Sequence, residues 1–213
     1  MDATLGPSED IRDLVTHLDE LIQQGHCLKS HGPSNVAGVR WHHHQFVIKR
    51  YNHRSWLHTL RYTCKGSRAR RCYRQAQRLS HTRLQTPAVL GFVEQRRHGL
   101  LWRSYLITTW IEAPLLGRLW QQPDQSPIPF DDLIQQLADM LNHLALHRIT
   151  HGDLKHTNLC ITPTGPVLID LDAMIFHRLT LSYRLYRKKD LNRFLMDLPH
   201  AHHRALLNRL KND

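Results

Sequence analysis

No stretch of this chain stays apolar for the roughly 18 residues that a helix needs to cross a bilayer, so any membrane contact is expected to be peripheral. Residues Met1 to Asp13 carry Asp2, Glu9, Asp10 and Asp13 and lack the basic start and apolar run of a secretory leader, so no export is expected. Cysteine is scarce. Cys27, Cys64, Cys72 and Cys160 form no C-x-x-C pair, which points to free, mostly buried thiols in the cytoplasm rather than to disulfides or a zinc site. Acid is absent from Leu21 to Val93, so that part of the chain can supply no carboxylate, whether as base, as metal ligand or as partner for a lysine.

What the chain has in excess is positive charge. Its 29 Lys and Arg against 18 Asp and Glu give +11, which suits anionic partners: nucleotides, phosphorylated glycolipids, anionic membrane surfaces or nucleic acid. Nucleic acid would rest on charge alone and is not expected. The 41% hydrophobic content over 213 residues suffices for one good core or two small lobes. The 18 histidines raise a metal site, above all at His42-His43-His44 and at His200, His202 and His203. On a strand His42 and His44 could converge but His43 could not, and no nearby acid or cysteine completes a set, so no structural metal is expected.

Ser8 is placed to cap a helix in which Ile11, Leu14, Val15, Leu18 and Ile22 recur at helical spacing until Gly25 stops it. Gly32, Pro33 and Gly38 then punctuate short segments, and Gln45-Phe46-Val47-Ile48-Lys49 reads as a strand. Between Ser67 and Ser80 the residues Ala69, Cys72, Tyr73, Ala76 and Leu79 make a helical stripe, with Arg70, Arg74 and Arg78 on another face. Strands are expected over residues 87–93 and 104–111, around a polar turn at Arg96 to Gly99. After a loop from Gln121 to Pro129, a second helix carries Leu133, Ile134, Leu137, Met140, Leu141, Leu144 and Leu146, and Lys189 to Leu210 reads as mainly helical. The fold class is α+β: an N-terminal lobe of antiparallel sheet with a helix over residues 1–112, and a small, mainly helical C-terminal lobe over residues 113–213.

The chemistry concentrates in His151-Gly152-Asp153-Leu154-Lys155-His156-Thr157-Asn158 and in Leu168-Ile169-Asp170. Phosphoryl transfer to a hydroxyl needs a carboxylate to orient or receive the proton, oxygen ligands for magnesium and cations to offset charge. Asp153 and Lys155 are the candidate catalytic carboxylate and cation; Asn158 and Asp170 are candidate metal ligands. The residues between Asn158 and Asp170 read as a β-hairpin that brings the two together. Asp172, two residues on, would share a face with Asp170 on an extended backbone and is a third metal candidate. Lys49 ends the Val47-Ile48-Lys49 strand where a kinase places the lysine on the ATP phosphates, and Thr109-Trp110-Ile111-Glu112 takes the place of the hinge that binds adenine.

This pattern resembles the bacterial lipopolysaccharide core kinases of the InaA and WaaP type, which include Kdo and heptose kinases and are relatives of protein kinases. The resemblance runs from about Val47 to Leu195. Its carriers are Val47-Ile48-Lys49-Arg50-Tyr51-Asn52, Ser67-Arg68-Ala69-Arg70-Arg71, Thr86-Pro87, Tyr105-Leu106-Ile107-Thr108, the segments from His151 to Asn158 and from Leu168 to Asp172, and Lys189-Asp190-Leu191. It implies a two-lobed protein-kinase-like fold and the cofactors ATP and Mg2+. It also implies an anionic glycolipid, the lipopolysaccharide core, as acceptor, and work in the cytoplasm at the inner face of the inner membrane. The departures are specific. The helix glutamate that pairs with the strand lysine is missing, with Cys72 near its position; Gly152 replaces the arginine of His-Arg-Asp; the glycine loop is degenerate; and no Ala-Pro-Glu follows Asp170. They keep open two alternatives: a RIO-like small protein kinase or ATPase, and a nucleotide-binding pseudokinase scaffold. Asp190 could anchor the catalytic loop through backbone hydrogen bonds or could simply be a helix-start carboxylate.

Overall fold

In the first of two compact units, Met1–Arg74 with Ala88–Trp110, alternating side chains build a sheet that is apolar on one face. The computed structural model describes residues 14–30, 32, 34–52, 63 and 66–210; Ser8, Ile11, Pro33 and Cys64 lie outside them. Helix α1 (Leu18–Gln24) is preceded by a helical turn at residues 14–16 and ends at Gly25, whose N–H bonds the Leu21 carbonyl at 2.9 Å. A side chain at Gly25 would collide with the carbonyl oxygens of Gly38 and Leu21. Strands β1 (His26–Lys29), β2 (Ser34–Trp41), β3 (His44–Tyr51), β4 (Val89–Arg97) and β5 (Leu100–Thr109) form an antiparallel sheet in the order β1-β2-β3-β5-β4. Ala37, Val39, Phe46, Ile48, Tyr105 and Ile107 meet Leu14, Leu18, Leu21 and Ile22 in one core. Because side chains alternate along a strand, that packing leaves Lys49, with its cross-strand partners Val36 and Leu106, on the other face.

The acidic gap has a structural counterpart. Asp19 of α1 accepts hydrogen bonds from Arg50 at 2.8 Å, Arg103 at 2.6 Å and the Tyr105 hydroxyl at 2.9 Å, tying the helix to β3 and β5. Burial alone would raise its carboxyl, but these hydrogen bonds and the two guanidinium charges hold it below the ordinary value. His42, His43 and His44 do not share one strand: His42 takes φ 51° and, with His43, makes the β2–β3 turn, so only His44 enters β3. His98 and Gly99 both take positive φ in the β4–β5 hairpin, the backbone a tight two-residue turn requires.

Helix α2 (Arg68–Leu79) starts where the Ser67 hydroxyl accepts the Arg70 N–H at 3.0 Å, and it buries Ala69, Cys72, Ala76 and Leu79. Its last residues belong to the second unit, Gln75–Pro87 with Ile111–Asp213. There Arg78 is not simply a solvated member of an arginine face: its guanidinium lies 3.7 Å from the centre of the Phe176 ring.

The rest of the second unit consists of α3 (Leu116–Gln121), α4 (Phe130–Leu146), β6 (Ile149–Thr150), a hairpin of β7 (Leu159–Thr162) and β8 (Gly165–Leu168), β9 (Ile175–Phe176), α5 (Thr180–Asp197) and α6 (His200–Leu207). The α4 stripe is buried as far as Leu144. Leu146, however, is 73% exposed, because two residues further along a helix is about 200° round its axis. The expected terminal helix begins earlier, at Thr180, and is broken between α5 and α6 by Leu198 and Pro199.

Candidate active site

Within the second unit the catalytic-loop candidate is held from three sides. The chain leaves β6 at Thr150, and Asp190 of α5 accepts the N–H groups of His151 at 2.6 Å and of Gly152 at 2.9 and 3.0 Å. Asp190 is therefore a loop anchor and not a free helix carboxylate. Gly152 takes φ 81°, and a Cβ there would lie 2.5 Å from the Ala173 carbonyl oxygen, so neither arginine nor any other side chain fits this backbone. Inside the loop His151 is fully buried and its Nε2 lies 3.0 Å from the Ile169 carbonyl. A carbonyl only accepts, so Nε2 carries the proton. Burial lowers the pKa of this ring despite the nearby carboxylate of Asp190, and it is neutral at pH 7.

Three donors converge on Asp153. Lys155 Nζ is 3.0 Å from Oδ2, Arg193 of α5 is 2.9 Å from Oδ1, and Asn158 Nδ2 donates to Oδ2 at 3.0 Å. Burial pushes this carboxyl up, but the Lys155 hydrogen bond and the Lys155 and Arg193 charges outweigh it, and its pKa lies below the ordinary value. Asn158 Nδ2 also donates to the Asp153 backbone carbonyl at 2.8 Å, which fixes the amide orientation and leaves Oδ1 as an acceptor. The next residue of the loop's framework is equally fixed: the Ile169 N–H bonds the Asn158 carbonyl at 3.0 Å. The β7–β8 hairpin, in register from Leu159↔Leu168 to Thr162↔Gly165, thus returns the chain to Asn158 and delivers Asp170 beside it.

Asp170 takes φ 61°, ψ 60° and is followed by a 3-10 turn, Leu171–Ala173. The extended backbone that would put Asp170 and Asp172 on one face is not present. Asp172 is buried within that turn. The hard oxygen donors available for magnesium are the Asn158 amide oxygen and the Asp170 carboxylate, a donor set that fits this cation. His156, next to Lys155, is clamped in its turn: its Nδ1 is 3.3 Å from Asp197, and its ring packs so closely on Gly117 of α3 that a side chain at Gly117 would clash.

Of the remaining candidates, Glu112 is exposed in the segment after β5, and Lys49 belongs to the first unit. Lys49 Nζ stands 5.0 Å from the centre of the Tyr51 ring, and Arg68 lies 4.7 Å from the same ring. The Tyr51 hydroxyl is 3.5 Å from Cys72 Sγ, so the helix position expected to carry glutamate is bonded to tyrosine instead. Glu94, the acid of β4, accepts the Ser67 N–H at 3.3 Å and pairs with Arg96 at 3.1 Å. The first unit also holds a cavity of about 480 Å³ whose lining includes Gly38, Val39, Gln45 and Trp110. Gly38 is required there: a Cβ would lie 2.6 Å from the Trp110 indole.

Sequence reasoning did not name Arg193. Its only signal is position, three residues after Asp190 and so on the adjoining part of the same helical face.

No curated protein sequence matches the chain significantly. Among solved structures, one described as WaaP in complex with acyl carrier protein superposes with a TM-score of 0.64 at 16% identity, covering 98% of this chain and 88% of that one. A crystal structure of WbdD gives a TM-score of 0.50 at 15% identity, over 80% of this chain and 38% of that one. At such identities the likeness establishes the α+β, protein-kinase-like fold. The sequence profile described as "Lipopolysaccharide kinase (Kdo/WaaP) family" matches residues 22–208, and with that match over most of its length the chain belongs to the lipopolysaccharide kinase (Kdo/WaaP) family.

Proposed function

We propose that this lipopolysaccharide core kinase transfers the γ-phosphate of ATP to a sugar hydroxyl with Asp153 as the carboxylate that orients the hydroxyl and takes up its proton. The observation that carries the assignment is the convergence of Lys155, Arg193 and Asn158 on Asp153, which fixes its position and keeps it ionised. Lys155, 3.0 Å from Asp153, would reach the transferred phosphoryl group. Asn158 and Asp170 would hold Mg2+, which when bound offsets the charge of the phosphate oxygens. Lys49 would contact the ATP phosphates from β3, and the backbone near Glu112 would bind the adenine. Asp172, buried in the turn that follows Asp170, would be a further oxygen ligand only if that turn opened.

On this reading the protein would work at the cytoplasmic face of the inner membrane, where ATP and the growing glycolipid would meet. No helix among the described residues is long and apolar enough to cross a membrane, which is compatible with peripheral contact. Exposed Arg70 and Arg74 on α2 offer guanidinium groups for the acceptor's phosphates. The test is to incubate purified protein with labelled ATP, Mg2+ and lipopolysaccharide from a strain deleted for its gene. Label is expected in lipid, abolished by Asp153→Asn. Label in protein instead, or full complementation of the deletion by Asp153→Ala, would sink the assignment.

A further inference from the structure

Between Asp172 and Asp190 the chain contains no acidic residue and five cations: Arg178, Arg184, Arg187, Lys188 and Lys189. The first half of α5, with Leu179 just before it, lies in this stretch and sends large apolar side chains into solvent. Leu179 is 72% exposed, Leu181 73% and Leu185 61%. Leu181 and Leu185 are one turn apart on the face opposite Tyr183, Asp190 and Phe194, the residues that bury the helix. Arg184 and Lys188, also one turn apart and exposed, border them. A helix packed on one side ordinarily presents polar residues on the other; α5 presents leucines edged with cations.

We propose that this face of α5 docks on an anionic bilayer surface. Charge complementarity selects the occupant: an acid-free cationic rim needs a dense negative partner. The outward face of a single helix is convex, so leucines there can enter the headgroup boundary of a lipid plane while Arg and Lys reach up to its phosphates. Docking would also set the depth of the chemistry. Asp190 on the other side of α5 holds the N–H groups of His151 and Gly152, so docking face and catalytic loop are separated by one helix, about 10–12 Å thick. The loop is then held at the level of glycolipid sugars, clear of the acyl chains.

The inference deepens the sugar-kinase reading, but its test needs neither ATP nor turnover. Flotation of the full chain is compared between vesicles of phosphatidylethanolamine containing phosphatidylglycerol and vesicles of phosphatidylcholine alone. The protein is expected to float with the anionic vesicles only. Binding is expected to fall by about tenfold or more in Leu181→Ser/Leu185→Ser and in Arg184→Glu/Lys188→Glu. Both double variants should keep the melting curve of the parent and its rate on detergent-dispersed acceptor. Equal binding to both vesicle types, or undiminished binding by the variants, overturns the proposal. So does capture of a small acidic protein by this face with no vesicle binding. Asp153→Asn should bind vesicles like the parent, so a failure of the kinase assignment and a failure of docking give different results.

Discussion

Asp153 has its charge state set by its neighbours. With its pKa below the ordinary carboxylate value of about 3.9, it is ionised throughout the neutral and mildly acidic range. Its ion pairs therefore stabilise the fold above that ordinary value, and the contribution is lost only as pH falls through the lower folded pKa. Removing Arg193 withdraws one of the charges that depress it. The pH profile of kcat/KM for Arg193→Ala should show its acid limb at higher pH than the parent, and an unmoved limb would mean that Arg193 does not act on this carboxylate. Gly152 makes a different residue-scale case. Gly152→Arg, which restores the arginine of protein kinases, must hold φ 81° at roughly 1–2 kcal/mol and also collide with the Ala173 carbonyl. A loss of more than about 2 kcal/mol is expected in a denaturant midpoint measurement, with turnover falling as the loop shifts.

At the scale of elements, the catalytic loop is fixed by its connections to α5 and to the β7–β8 hairpin. Asp190→Ala would leave the N–H groups of His151 and Gly152 without their partner, at roughly 1–3 kcal/mol for each buried group. Chemical denaturation should register that loss, and turnover should drop further than stability because the same bonds aim Asp153. Asp190→Glu should not rescue it, since a longer side chain cannot reproduce two donors at 2.6 and 2.9 Å. The hairpin was legible in the sequence because Thr162 to Gly165 is local turn chemistry between apolar runs. The turn at Asp170 was not. Its left-handed backbone is imposed by bonds from Ile169 to Asn158 and His151, partners distant in sequence, and local propensity carries no trace of them. Arg193 escaped notice for the same reason: only the packing of α5 brings it to Asp153. The outward leucines of α5 were hidden because a helix apolar on two sides shows no clean period.

For the whole molecule, the main consequence is that nothing in the path from Asp170 to α5 is left to be switched. Protein kinases place a long activation segment there, ordered by phosphorylation. Here a 3-10 turn follows Asp170 directly, the Met174 carbonyl accepts a hydrogen bond from Gln75 at 3.0 Å, and β9 pairs with β6. His177 then lies between the Thr150 hydroxyl at 2.8 Å and the Ser182 hydroxyl at 2.9 Å, with its own N–H on the Arg148 carbonyl. Arg78 on Phe176 fixes the end of α2 to the same segment. With Gly152 in place of arginine, the loop also lacks the cation that a phosphorylated segment would bind. The enzyme should therefore be active as synthesised: protein treated with a phosphatase should turn over at the same rate as untreated protein, with no lag on addition of ATP. A lag, or a several-fold loss after phosphatase treatment, would show that this short segment is reorganised after all, and that its hydrogen bonds represent only one of two states.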